Sequence, residues 1–151
     1  MRKLLSYFSF QGRSNRQRYW MTALALLGIL MVAGILVAAL AEASPLIGWI
    51  VLPVVIAYFW AICANAARRL HDRNKSAWWL LLFLGVPAFF SLFGAIGAAG
   101  GGPKEGADFI SALGLPFSIW GLVEMGFLRG SKGPNKYGDD PLQPAMAEVF
   151  A

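Results

Sequence analysis

Hydrophobic residues in this chain gather into four long runs, which short polar segments separate. The runs cover residues 19–41, 46–67, 77–98 and 109–128. Each is long enough to cross the hydrocarbon core of a bilayer, which takes about 20 helical residues. Three of the runs contain a proline, at Pro53, Pro87 and Pro116, and membrane helices tolerate such prolines. The pattern predicts an all-α, polytopic membrane protein with four transmembrane helices, in a single membrane domain over residues 1–151.

The first run is preceded by a helix start signal. In the segment from Ser14 to Gln17, the serine hydroxyl is expected to cap the third amide of the helix, and the glutamine is expected to reach back to it. The basic pair Arg2 and Lys3 imitates the beginning of a secretory signal peptide. Because the apolar core of such a signal is only about 7–15 residues long, this longer run is expected to remain as a transmembrane helix.

Basic residues are distributed unevenly among the polar segments. Twelve of the thirteen Lys and Arg residues lie in the segments 1–18, 68–76 and 129–151. Short basic loops are retained on the cytoplasmic side of a membrane. The N-terminus, the central loop and the C-terminal tail at 129–151 are therefore predicted to be cytoplasmic. This topology accounts for the net charge of +5, and no nucleic-acid partner is expected, since proteins that bind nucleic acid carry their basic stripe on a soluble fold.

Composition agrees with a membrane class and gives little support to catalysis. The chain is 58% hydrophobic and 14% charged, whereas soluble domains are about half apolar and about a quarter charged. One cysteine, Cys63, and one histidine, His71, provide too few ligands for a disulfide framework or a metal site. No phosphate-binding loop, nucleophile elbow or His-Glu-x-x-His motif occurs. We therefore predict no catalytic residue, no cofactor and no bound metal.

Three polar blocks remain, and all lie on the predicted cytoplasmic side. They read FQGRSNRQRYW at residues 10–20, ARRLHDRNKSAWW at 67–79 and GSKGPNKYGDDP at 130–141. In order and spacing they resemble the bacterial inner-membrane family called domain of unknown function 805, although Asn74 and Ala77 stand where that family usually has glycine. The resemblance implies a four-helix fold in the bacterial inner (plasma) membrane and implies no activity.

Two interpretations of the polar blocks stay open. In the first, arginines bind an anion or the headgroups of anionic lipids, because arginine offers phosphate a bidentate geometry. These arginines are Arg13, Arg16, Arg68 and Arg69. In the second, the blocks form a structural clasp in which the last two aspartates of the set neutralise arginines. The clasp residues are His71, Asp72, Asn135, Tyr137, Asp139 and Asp140.

Glu124 is the one carboxylate inside a predicted membrane helix. An acid at such a position must be paired, protonated or directed into the bundle, and it is a candidate for function by default. We expect Glu124 to lie near the cytoplasmic interface and to pair with Arg68, Arg69 or Arg129. The alternative is that Glu124 binds a coupling proton in a transporter.

The functional prediction is a non-enzymatic scaffold, assembly factor or regulator that acts through its basic cytoplasmic face. The expected partners are anionic membrane lipids, a second copy of the chain or another membrane protein. Two other classes stay open. One is a small oligomeric transporter or channel that uses Glu124, and the other is a membrane enzyme acting on phosphorylated lipid headgroups, with Arg68 as phosphate clamp and His71 as acid.

Overall fold

The computed structural model describes residues 6–40 and 47–143, and within them the chain is helical without a β-strand. A 3-10 turn at Ser6–Phe8 precedes five α-helices. These are α1 (Arg16–Leu40), α2 (Ile47–Asp72), α3 (Val86–Ala99), α4 (Lys104–Ala112) and α5 (Leu115–Leu122). A π-helical turn at Leu81–Gly85 leads into α3, and a second one at Val123–Phe127 follows α5.

Four stretches of helix are long and apolar enough to span a membrane. They are Arg16–Ala39, Val51–Asp72, Leu81–Ala99 and Lys104–Phe127, and the last two are called the third and fourth spans below. The prediction of an all-α protein with four transmembrane helices is confirmed. The helices differ from the predicted runs at their ends: α2 continues past residue 67 to Asp72, and the fourth span begins at Lys104, before residue 109.

The start of α1 is capped by Asn15, so the prediction that Ser14 caps it is wrong. The side-chain Oδ1 of Asn15 accepts a hydrogen bond from the backbone N–H of Arg18 at 2.8 Å, which satisfies one of the amides that a helix start leaves unpaired. Ser14 is buried, and its backbone N–H donates to the carbonyl oxygen of Arg68 at 3.1 Å. The first polar block, residues 10–20, packs onto α2. Ser14 takes part in this contact and does not cap α1.

The end of α2 is a tight turn centred on Asn74. The backbone N–H groups of Asn74 and Lys75 donate to the carbonyl oxygens of His71 and Leu70, both at 2.9 Å. This is the bonding pattern of a Schellman helix end, which requires a left-handed residue. Asn74 adopts that conformation, with φ of 58°. Asparagine tolerates a positive φ better than most residues. The turn is therefore tight with asparagine at the position where glycine was the expected residue.

Glycines allow the third and fourth spans to approach closely. A Cβ atom at Gly121 would lie 2.8 Å from the Cβ of Phe83, and one at Gly114 would lie 2.7 Å from the Cα of Pro87. Contacts this short exclude any larger residue, and small residues are the usual means of close helix packing in membranes. The π-helical turn at Leu81–Gly85 lies just before Pro87, where proline removes a hydrogen bond from the regular α-helical ladder.

Among the residues that the structure describes, as many polar as apolar side chains are buried, whereas most large apolar side chains face outward. The buried apolar cluster is small and consists of Ala66, Leu70, Phe83 and Met125. The buried polar residues are Arg13, Ser14, Asn65, Arg68, Arg69, His71, Asp72 and Glu124. Outward apolar surface is stable in lipid, which is as apolar as leucine. The polar interior lies where α2 ends, and it forms the site described next.

Candidate functional site: a buried arginine clasp

Asp72, at the last residue of α2, is bound by arginines from two polar blocks. Arg13 approaches one carboxylate oxygen, with Nη2 at 3.0 Å and Nε at 3.1 Å. Arg69, one helical turn before Asp72, approaches the other oxygen with Nη1 at 2.5 Å. All three side chains are buried. We call Arg13, Arg69 and Asp72 the arginine clasp. In it, one carboxylate forms ion pairs with two guanidinium groups.

The carbonyl groups that end the fourth span accept hydrogen bonds from side chains of α1 and α2. The four acceptors are the carbonyl oxygens of Met125, Gly126, Phe127 and Leu128. Arg69 donates to the carbonyl oxygens of Met125 and Leu128, at 2.7 and 2.5 Å. Trp20 Nε1 donates to that of Gly126 and Arg16 to that of Phe127, both at 3.1 Å. The last carbonyls of a helix have no partner within it, so these donors complete the helix end. Arg69 thereby joins α2 to the fourth span.

Arg13 holds the loop that follows the fourth span, residues 128–143, which we call the C-terminal loop. Its guanidinium donates to the carbonyl oxygens of Ser131 and Gly133 at 2.7 Å each and of Gly138 at 3.3 Å. The loop folds back on itself through paired backbone hydrogen bonds between Asn135 and Gly138, both at 3.0 Å. One side chain of the first block therefore fixes the shape of the third block.

Backbone and side-chain groups of the C-terminal loop complete the attachment to α2. The backbone N–H of Ser131 donates to the carbonyl oxygen of Asp72 at 2.8 Å, and Asn135 Nδ2 donates to that of His71 at 2.9 Å. The ring of Tyr137 stacks on the ring of His71 with 3.8 Å between centroids and 5° between planes. The loop in this way covers the C-terminal end of α2.

Gly130 permits this attachment, a role that its place in the third polar block did not indicate. A Cβ at this position would lie 2.0 Å from a carboxylate oxygen of Asp72. Ser131 and Trp20 are also members of the network that sequence reasoning did not assign to the site. Trp20 donates to a backbone carbonyl group, and Ser131 donates to the backbone carbonyl of Asp72 through its own N–H and its Oγ, which also accepts a hydrogen bond from Asn135 Nδ2. Every residue carries a carbonyl acceptor, so side-chain identity alone did not reveal these positions.

The residues predicted for anion binding and for the clasp are for the most part brought together, in one network. Arg68 is buried, and its guanidinium donates to the carbonyl oxygens of Ala64 and Tyr7 at 3.2 and 3.4 Å. Arg16 is exposed at the edge of the network. His71 Nδ1 lies 3.3 Å from the carbonyl oxygen of Gly12.

The two aspartates of the third block differ from Asp72 in position. Asp139 is exposed. Asp140 accepts hydrogen bonds from the backbone N–H groups of Leu142 and Gly133 at 3.0 and 2.9 Å. These bonds, in that order of size, lower the pKa of Asp140 below its ordinary 3.8, with a smaller contribution from the charge of Arg13. The carboxylate that forms ion pairs with Arg13 and Arg69 is therefore Asp72. Of the two aspartates expected to neutralise the arginines, Asp140 interacts with Arg13 through its charge.

Glu124 is buried in the second π-helical turn and is paired with two cations. Arg73 Nε lies 2.7 Å and Lys75 Nζ 2.6 Å from the same carboxylate oxygen. Pairing with Arg68, Arg69 or Arg129 was expected, and this expectation is wrong. The reason is the turn at Asn74, which directs Arg73 and Lys75 back toward the fourth span. Lys75 also lies 4.4 Å from the ring centroid of Trp79, a cation–π contact.

The described residues contain no group of three or more His, Cys, Asp or Glu side chains placed to hold a metal ion. They do contain a dense set of charge-assisted hydrogen bonds that connect three segments distant in sequence. Such bonds are shorter and stronger than neutral ones. The fold and the clasp together define a multi-pass membrane protein whose polar segments are fastened to each other at one end of the helices.

Comparison with known proteins gives the family. The model of the family "Protein of unknown function (DUF805)" matches residues 7–139, so this chain belongs to that family. Among its relatives in Escherichia coli K12, the inner membrane protein YhaH is 29% identical over 95% of this chain and 97% of its own length. The inner membrane protein YhaI is 27% identical over 91% and 90%, and the uncharacterized protein YiiR 28% over 88% and 86%. No solved structure matches.

The family and the four spans establish the location of the protein. It is a multi-pass protein of the bacterial inner membrane. The resemblance drawn from the three polar blocks is confirmed by the family match. The family carries no assigned activity, so the role of the site is argued from its geometry.

Proposed function

We propose that this protein is a non-enzymatic scaffold or regulator that presents the outer surface of its C-terminal loop to another protein. The observation that carries the proposal is the use of the buried arginines. Arg13 and Arg69 are saturated by Asp72 and by backbone carbonyl groups, so the clasp has the features of a structural fastening. What it fastens is the C-terminal loop.

The C-terminal loop is held in one shape before any partner arrives. Non-helical segments at the end of a chain are usually poorly ordered unless they are tied down. Here hydrogen bonds from Arg13 and Asn135, together with the ring of Tyr137, tie the loop to α2. A preordered surface loses less conformational entropy on binding. The network thus favours recognition by a defined surface over a loose electrostatic attraction.

The outward side of the loop carries charges that the fold does not use for its own fastening. Lys132, Lys136 and Asp139 are exposed, and the Nζ of Lys136 lies 5.0 Å from the centroid of the Tyr137 ring. Charges arranged in this way steer association and give specificity. On the predicted topology this surface faces the cytoplasm, so the expected partner is a protein with an acidic patch at the cytoplasmic side of the membrane.

The transporter and enzyme alternatives have less support. Glu124 is held by Arg73 and Lys75, a pairing that joins the turn after α2 to the fourth span and that a structural role explains without transport. His71 is buried beneath Tyr137, where access for a lipid headgroup is limited. Both alternatives stay hypotheses.

The test is native mass spectrometry of the protein extracted in mild detergent from its own bacterial membranes. We expect a partner protein at fixed stoichiometry with the wild type. The double charge reversal Lys132→Glu with Lys136→Glu is expected to lower its occupancy about tenfold, which corresponds to about 1.4 kcal/mol.

The matched control is Lys104→Glu, which reverses an exposed charge at the other end of the fourth span. It should leave the partner bound. The proposal is contradicted if no partner protein is retained by the wild type, or if the double reversal and the control bind the partner equally well.

A further inference from the structure

A long groove runs along one side of the molecule, between the N-terminal 3-10 turn, α1 and α2. It consists of two adjoining cavities of about 630 and 730 Å³. Both cavities are lined by Phe8, Leu26, Ile29 and Ala61, so they adjoin along the same side of α1 and α2. This groove is separate from the clasp, whose three residues are not among its lining.

The end of the groove next to the polar network is basic. Asn15, Gln17 and Arg18 line the first cavity, and no carboxylate of residues 6–40 and 47–143 does. Arg18 is exposed, and it is the arginine of the first block whose guanidinium makes no hydrogen bond or ion pair with the described residues. The nearby charge of Arg68 repels that of Arg18. This end therefore has an excess of positive charge that an anion would neutralise.

The remainder of the groove is apolar. Its walls are aliphatic and aromatic side chains of α1 and α2 that extend as far as Val37 on α1 and Val51 on α2. Small residues make the space: Ala33, Gly34 and Ala57 line it, and a Cβ at Gly34 would meet nothing within 4 Å. At about 1.5 Å per residue, the helix from Arg18 to Val37 is about 28 Å long. A bilayer core is about 30 Å thick, so a lipid chain in one leaflet needs about half of that length.

We propose that this groove is a binding site for one anionic phospholipid, with the phosphate at Arg18 and one acyl chain between α1 and α2. Arginine provides a planar set of donors that matches phosphate oxygens. Asn15 and Gln17 add neutral polar groups at the polar end, and Phe8 lines both the polar and the apolar cavity. The charge of one end and the apolarity of the other match the two parts of such a lipid.

The experiment uses the full chain reconstituted in vesicles of phosphatidylcholine with a minor fraction of phosphatidylglycerol, then transferred to mild detergent for native mass spectrometry. We expect one phosphatidylglycerol to be retained per chain. Arg18→Gln should lower that retention about tenfold and abolish the preference over phosphatidylcholine. Gly34→Leu, which fills the apolar part and is compatible with a helix, should exclude the lipid.

Arg129→Gln is the matched control, since Arg129 is also an exposed arginine beside the polar network but lies outside the groove. It should retain the lipid as the wild type does. The proposal is overturned if both arginine variants lose the lipid equally, which would indicate diffuse attraction, or if Gly34→Leu retains it. A lipid-free homodimer that Gly34→Leu dissociates would overturn it in favour of a second copy of the chain.

Discussion

Replacing Arg69 by methionine tests whether the arginine clasp is needed for stability. Methionine keeps a long, unbranched and flexible side chain in the buried position but removes every donor. Of its two ion pairs with described residues, the Asp72 carboxylate then retains the one with Arg13. The carbonyl oxygens of Met125 and Leu128 lose the donor that completes the end of the fourth span.

The expected cost follows from the burial of the pair. Removing one partner of a buried ion pair destabilises a protein by about 3–5 kcal/mol. A buried carbonyl group left without a donor costs about 1–3 kcal/mol. These contributions overlap, because Arg69 makes all of the bonds from one position, so we expect a total loss of about 3–5 kcal/mol. This is a large share of a typical unfolding free energy of about 5–15 kcal/mol.

The assay is unfolding by titration with SDS in bicelles, followed by tryptophan fluorescence, since Trp20 and Trp79 lie close to the network. The control is Lys104→Met, which breaks an ion pair with Asp108 of similar length, 2.6 Å, whose side chains are 81% and 65% exposed. Exposed pairs of this kind contribute only about 0.3–0.5 kcal/mol. Equal losses in the two variants would refute the conclusion that the clasp stabilises the fold.

Two further predictions concern the C-terminal loop. Gly130→Ala should detach the loop, because the added Cβ would lie 2.0 Å from an oxygen of Asp72; faster proteolysis of the loop in detergent measures this. The pKa of Asp140 is lower in the folded protein than its ordinary 3.8. Its bonds to Leu142 and Gly133 therefore stabilise the loop fully above pH 3.8. This stability is lost as the pH falls through the lower pKa of the folded state and the carboxylate is protonated. The amide proton shifts of these two residues should titrate accordingly.

Each of these predictions has a control within the chain. Gly97→Ala should leave the proteolysis rate unchanged, since a Cβ at Gly97 would meet nothing within 4 Å. Asp140→Asn keeps a side-chain oxygen acceptor without an acid, so the amide shifts should no longer titrate. An intact loop in Gly130→Ala, or a titration midpoint at or above 3.8 in the wild type, would count against the geometry described.

The sequence carried the membrane architecture and many of the members of the polar network. Hydropathy is a local property, and the length of an apolar run is enough to predict a span. The order of the three polar blocks around four runs was also sufficient to indicate the family, which the match over residues 7–139 confirms. The cytoplasmic location of the blocks stays a prediction from the distribution of Lys and Arg.

Only the tertiary structure decided which charges meet. Asp72 forms the ion pairs with Arg13 and Arg69, and Glu124 binds Arg73 and Lys75. These choices depend on the left-handed turn at Asn74 and on the missing side chain at Gly130, which set distances of a few ångströms between segments far apart in the chain. An ion pair forms only within such distances, whereas the pattern of apolar residues needs no knowledge of them. The same sequence therefore predicts the helices well and the pairing between them poorly.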